Sequence, residues 1–151
     1  MSAAAAFSLS FFRLRKGLNR ISAAACSYYK TGLFVAMCVY LYDAFGDEAY
    51  LAAAEQCMDF SLACHADVYT TMLGHKMIWG ASELYRVTRE ERYREYALRH
   101  AQALAQRQEP EGWYHYSEFI KVPKEEFPGG AKYGMTSQLS TWMSYARDLC
   151  L

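Results

Sequence analysis

Three of the four histidines, His65, His75 and His115, fall in or beside two long connecting segments. The residues around them are of the types that move protons or bind rings. Asp67, Tyr69, Lys76 and Trp79 accompany the first two, and Tyr114, Tyr116, Glu118 and Tyr133 accompany the third. His75, followed by Lys76 at the start of an apolar helical pattern, predicts an imidazole kept neutral by the helix end and the adjacent cation. Such a ring is suited to act as a base, with Asp67 as its partner. These two are the candidate catalytic residues. His65, Tyr69, Trp79, His115, Tyr116, Glu118 and Tyr133 are the candidate substrate contacts, because aromatic faces stack on rings and stabilise positive charge. Glu118 with His115 is a second acid/base pair, and a retaining glycosidase would need the Asp67 and Glu118 carboxyls ~5 Å apart. Asp67 and Thr70 are equally the residue types that cap a helix. His65, Asp67 and His75 offer a zinc ion two nitrogens and an oxygen, with His115 or water as the fourth ligand. Their spacing matches no compact zinc motif, so no metal and no other cofactor is expected.

These residues must be held by helices, and the helices repeat. The chain has 151 residues, enough for one core. Leu41-Tyr42, then Phe45 to Tyr50, matches Leu84-Tyr85, then Thr88 to Tyr93, at a constant offset of 43. Each unit reads as an apolar helix ending at Leu-Tyr, a tight turn, and a second helix opening on an acidic pair. Residues 32–41 are apolar nearly all round, the pattern of an inner helix buried on every side. Tyr50, Ala54, Cys57, Met58, Ser61 and Leu62 form one stripe, the pattern of an outer helix. In the second unit Met77, Ile78, Trp79, Ala81, Leu84 and Tyr85 belong to an inner helix. Tyr93, Ala97, His100, Ala101 and Leu104 belong to an outer one, His100 as a satisfied core histidine. A last helix from about Thr136, carrying Leu139, Trp142, Met143, Ala146 and Leu149, is the third inner member. Short turns at 44–48 and 87–91 place the long connections, 64–70 and 109–133, together at the opposite end. There the inner helices begin, and their positive ends favour anionic substrate groups. The architecture expected is all-α, built of antiparallel helical hairpins.

Gln108-Glu109-Pro110-Glu111-Gly112-Trp113 closes the second outer helix, and it resembles the Q-x-x-x-G-x-W repeat of the α/α-toroid superfamily, with Gly112 and Trp113 adjacent. The Gly46 to Leu51 turn and the Trp79 to Tyr85 run are similar to hairpins of the same toroids, so the resemblance covers roughly residues 28–149. It implies a partial α/α toroid like the C-terminal half of a terpenoid cyclase or protein prenyltransferase. Sugar epimerases and glycosidases are the related alternative. The implied function is binding of an apolar or cyclic substrate at the N-terminal ends of the inner helices. Gln108 and Trp113 are structural in that family. About three hairpins are present where a closed ring takes five to seven, so a homodimer or a missing N-terminal half would complete it. The squalene-cyclase acid motif has no counterpart among Asp43, Asp47, Asp59, Asp67 and Asp148. A noncatalytic helical-repeat scaffold using its inner face for a partner is the reading from a different class.

Sixteen basic and sixteen acidic residues give zero formal charge, without the electrostatic footprint of a nucleic-acid binder. No G-x-S-x-G, H-E-x-x-H, P-loop or G-x-G-x-x-G is present. Cys26, Cys38, Cys57, Cys64 and Cys150 include no C-x-x-C pair and read as reduced thiols, consistent with a cytoplasmic protein. Residues 1–42 carry no acid while Arg13, Arg15, Lys16, Arg20 and Lys30 are basic. Phe7, Phe11, Leu14, Leu18 and Ile21 line one face of an amphipathic helix over 1–24, ahead of a hairpin domain over 25–151, and organelle targeting is the alternative role of that segment. No apolar stretch is long enough to span a bilayer.

Overall fold

A computed structural model describes residues 28–64, 66–115 and 123–151. The amphipathic segment over 1–24 lies outside the described residues. Among the described residues five α-helices pack together: α1 (Tyr28–Phe45), α2 (Glu48–Cys64), α3 (His75–Thr88), α4 (Glu91–Ala105) and α5 (Gly129–Cys150). Short 3-10 turns occupy Ala66–Tyr69, Met72–Gly74 and Lys124–Glu126. Among the described residues there is no strand, only an isolated antiparallel bridge between Gln108 and Tyr114. The chain is all-α, as its periodicity implies.

The helices form two layers. α3 lies between α1 and α5, α2 backs α1, and α4 backs both α3 and α5. The inner α1 and α3 approach closely because glycines face the contact. A Cβ at Gly32 would lie 2.3 Å from the Lys76 carbonyl carbon and oxygen, and one at Gly80 would lie 2.9 Å from the Gly32 carbonyl oxygen. The outer helices bury their expected stripes: Ala54, Cys57, Met58 and Ser61 on α2, and Tyr93, Tyr96, Ala97, His100 and Leu104 on α4. Val35, Val39, Met58, Ile78, Leu84, Leu104 and Leu139 are fully shielded core members, each worth about 1.5–3 kcal/mol of burial.

The 43-residue repeat extends to the backbone. Gly46 and Arg89, offset by 43, both adopt left-handed conformations, with φ of 67° and 58°. Their N–H groups donate to the Tyr42 and Tyr85 carbonyls at 2.8 and 2.9 Å. Each outer helix then opens with the same bond, Tyr50 N–H to Asp47 and Tyr93 N–H to Glu90. A left-handed residue after the last helical turn satisfies a terminal carbonyl, and glycine enters that conformation without steric cost.

Two elements differ from the periodic reading. α1 is not buried on every side: Leu33, Met37 and Tyr40, spaced by four and three, are 38%, 50% and 42% exposed. An all-apolar helix shows no side preference in sequence, and on this side it is Tyr40 that contacts α3, at Trp79 and Glu83. α5 starts at Gly129 rather than near Thr136, directly after Pro128, whose extended backbone (φ −58°, ψ 133°) occupies the position before the first turn. Tyr133 is therefore helical, not part of the loop.

Four cysteines lie among the described residues and form no disulfide. Cys38, Cys57 and Cys150 are buried, which pushes the Cys38 thiol up to about 11 and the Cys57 thiol up to about 12. Among the described residues no helix is long and apolar enough to cross a membrane.

Candidate functional site on the inner face

The Arg107 guanidinium, just past the end of α4, donates to the Thr70 carbonyl at 3.1 Å, which places the first long connection and the described start of the second at one end of the helices. The first folds against α4. Tyr96 Oη lies 2.9 Å from the Val68 carbonyl oxygen and 2.8 Å from His100 Nδ1, while His100 Nε2 lies 3.0 Å from the Thr71 carbonyl. A carbonyl only accepts, so Nε2 carries the His100 proton and Nδ1 accepts from the tyrosine. Burial holds the His100 pKa down at about 4, with Thr71 opposing and His75 and Arg107 adding to the depression. His100 is thus the satisfied core histidine that its stripe predicts.

The second connection begins with a turn in which Gly112, at φ 86°, donates to the Glu109 carbonyl and Glu109 N–H donates to the Trp113 carbonyl. The Gln108 amide donates to the Gly112 carbonyl at 2.8 Å and so braces this turn. Trp113 stacks on Phe127 at 5.7 Å, and Lys132 Nζ lies 4.2 Å from its ring centroid. Gln108 and Trp113 therefore do structural work, joining the end of α4 to the start of α5.

The predicted site residues fall into separate places. Asp67 Oδ1 accepts from Tyr28 Oη at 3.3 Å, and the Asp67 carbonyl accepts the Thr70 and Thr71 N–H groups. No hydrogen bond or ion pair joins Asp67 to His75. Tyr69 packs on Tyr96, with Arg99 4.2 Å from its ring centroid, on the α4 side. His115 meets Trp113 and Phe127 edge-on at 6.2 and 5.2 Å. Tyr133 is 81% exposed. His65, Tyr116 and Glu118 lie outside the described residues, and with them the separation of Asp67 from Glu118.

Trp79 and His75 lead instead to the inner face. His75, Trp79 and Glu83 follow one another at four-residue spacing on α3. Leu33, Met37 and Tyr40 on α1, and Gln138, Trp142 and Tyr145 on α5, repeat at four and three. Such spacing lines one side of each helix. The three strips meet in an aromatic platform. Trp79 stacks on Trp142 at 4.7 Å and 17°, Tyr145 lies 5.8 and 5.9 Å from the two indoles, and Tyr40 lies 5.9 Å from Trp79.

A polar chain borders the platform. Trp79 Nε1–H donates to Tyr40 Oη at 3.1 Å, and Tyr40 donates to Glu83 Oε1 at 2.9 Å. Arg86 Nε donates to Glu83 Oε2 at 2.8 Å, and the same guanidinium pairs with Asp43. Glu83 is only 3% exposed, so these partners supply the hydrogen bonds that water would otherwise give its carboxylate. Burial and the neighbouring carboxylate both hold the Tyr40 hydroxyl well above its ordinary pKa.

His75 stands at the foot of the α3 strip. Its Nδ1 lies 2.6 Å from the Met72 carbonyl, which fixes the proton there and leaves the lone pair on Nε2. The Gln138 side chain approaches the ring, but Nε2 has no partner in hydrogen-bond geometry. Burial, and to a lesser degree Lys76, lower the His75 pKa against the opposing pull of Met72 and Gln138. Burial thus favours the neutral ring, and Met72, not Asp67, sets its tautomer. Among the described residues no group of three or more His, Cys, Asp or Glu is placed to hold a metal.

Compared with known proteins, the chain matches no family model, no curated protein and no solved structure. The inner face therefore stands on its own geometry. Sequence reasoning missed Tyr40, Asp43, Glu83 and Arg86, although the signal was available. Tyr40 and Glu83 are 43 residues apart, and so are Asp43 and Arg86. Parallel helices from successive repeats place equivalent positions side by side. Trp142 was assigned to packing and Tyr145 was not singled out, because a helix period does not tell which aromatic residues share a face with the neighbouring helix.

Proposed function

We propose that the chain is an arc of an α/α toroid that binds an apolar or cyclic substrate on its inner face. The observation that carries this reading is the Trp79–Trp142 stack, continued by Tyr40 and Tyr145 across three parallel helices. A half-buried aromatic cluster gains by covering its remaining exposed faces and edges with an apolar ring, and its π density also favours positive charge developing on a substrate. The alternative, a carbohydrate-active toroid, is favoured by one specific feature, the Tyr40–Glu83–Arg86 border, because hydroxyl and carboxylate groups beside an indole suit a ring that carries its own hydroxyls. Leu33 and Met37 form the exposed edge where a ring reading seats a further helix, from a second copy or another chain.

Tryptophan fluorescence tests the proposal. Titration with a prenol such as geranylgeraniol should change the emission saturably, and Trp142→Ala should abolish the change while the fold, read by circular dichroism, is retained. A response to methyl glucoside and not to the prenol would move the assignment to the carbohydrate reading. No response to either would remove the inner face as a substrate site.

A further inference from the structure

One side of α1 presents an apolar strip to the outside. Leu33, Met37 and Tyr40 are exposed, and Ala44, also exposed, continues their line. Steps of four, three and four residues at about 100° each keep all four positions on a strip as narrow as the seam of a two-helix coiled coil. A strip of that width takes a single helix.

The sequence leading into α1 carries a strip of the same kind. Phe7, Phe11, Leu14, Leu18 and Ile21 recur at four, three, four and three, and five large apolar side chains on one face need a surface to cover them. At a rise of 1.5 Å per residue the strip on α1 is about 17 Å long and a helical 7–21 strip about 21 Å. Residues 22–27 separate Ile21 from Tyr28, a connection within the roughly two to eight residues that join antiparallel neighbours in helical bundles. Charge favours the same approach. Arg13, Arg15, Lys16 and Arg20 have no acid among them, whereas Asp43, Asp47 and Glu48 lie at the far end of α1 with Lys30 as the only cation over 28–50.

We infer that residues 7–21 fold back as a helix antiparallel to α1 and cover its exposed strip. Ile21 then lies beside Leu33, Leu18 beside Met37, Leu14 beside Tyr40 and Phe11 beside Ala44. A second copy of the chain, closing a ring, would need the same strip, so the two occupants exclude each other. The tether decides between them: a segment held by so short a connection meets α1 at an effective concentration on the order of millimolar, far above that of a second copy in dilute solution. The inference is independent of the substrate reading, because the α1 strip is covered whether or not the aromatic platform binds a ring.

Methyl NOE spectroscopy of the full chain tests it. The Leu33 and Met37 methyls should give cross-peaks to Ile21 and Leu18, with Leu14 nearest the Tyr40 ring. In a mixture of labelled and unlabelled chains, a filter that passes only contacts between chains should show none of them. Met37→Asp should speed amide exchange over 7–21 about tenfold while the slow amides of α3 and α4 stay slow, and Met37→Leu should leave exchange over 7–21 as in the parent chain. Leu18→Asp should reproduce the effect of Met37→Asp from the other side of the contact. Cross-peaks at Met37 that survive the filter would give the strip to a second copy and overturn the inference. So would a Met37 methyl without contact to 7–21, or exchange in that segment that neither aspartate changes.

Discussion

Two histidines of this protein are buried, neutral and braced by a carbonyl of the same loop, yet they sit in unlike seams. His100, between α4 and the 66–74 connection, has both ring nitrogens engaged. His75, between α3 and α5, has one. The outer seam is closed as well as satisfied, since a Cβ on Gly74 would meet His100 Cε1 at 2.7 Å. The inner seam adjoins a half-exposed aromatic platform. A buried polar network completed by backbone carbonyls and a tyrosine holds a loop in place, whereas His75 is fixed by one carbonyl and has only the side chain of Gln138 beside its other nitrogen.

The largest effect expected from this contrast is on stability. His100→Ala removes two buried hydrogen bonds and opens a cavity, and should cost about 3 kcal/mol in urea denaturation. His75→Ala removes one bond and should cost about half as much. Equal costs would erase the distinction between the seams.

Acid should expose the same difference. The His100 pKa is about 4 in the folded chain against 6.5 for the ordinary side chain, so between these values the unfolded chain binds the extra proton. Stability from this residue is therefore complete above about pH 6.5 and is lost as pH falls toward 4. Between pH 7 and 4.5 the loss should be on the order of 2 kcal/mol and should vanish in His100→Ala. His75, depressed in the same direction, should add a smaller term of the same sign.

Arg86→Ala, which leaves the Glu83 carboxylate with only Tyr40, should destabilise by about 1.5 kcal/mol, less than loss of a fully buried pair because Arg86 is partly exposed. Arg86→Ala should also alter the emission of Trp79 through the Tyr40 bridge. The smallest effect tests the repeat itself. Arg89→Gly relieves a left-handed non-glycine residue and should raise the unfolding midpoint, with a gain of about 0.5 kcal/mol.

Much of the fold was legible in the sequence because periodicity is a local signal. The Leu-Tyr endings, the acidic openings and the offset of 43 located both hairpins, and the shared left-handed residues at Gly46 and Arg89 agree with that alignment. The start of α5 was harder to place: Gly129, Gly130 and Gly134 disguise its first turns as loop, so periodicity starts the helix near Thr136, whereas it begins directly after Pro128. The site was legible only in part. Trp79 and His75 were identified from residue type and position, but the proposed His75–Asp67 pair depended on the path of a loop, which side-chain patterns do not encode. Tyr40 and Glu83 required a step from repeat to register, namely that positions one period apart become lateral neighbours.

That register makes the hairpins behave as interchangeable parts. Because the turns around Gly46 and Arg89 share one backbone geometry, residues 45–50 and 88–93 can be exchanged between the units, and the exchanged chain should retain the wild-type circular dichroism. Lateral contacts such as Tyr40–Glu83 are the exception, since each unit brings a different half of the bond. Copying either unit over the other would preserve the scaffold and erase the one polar edge that makes the two units unlike.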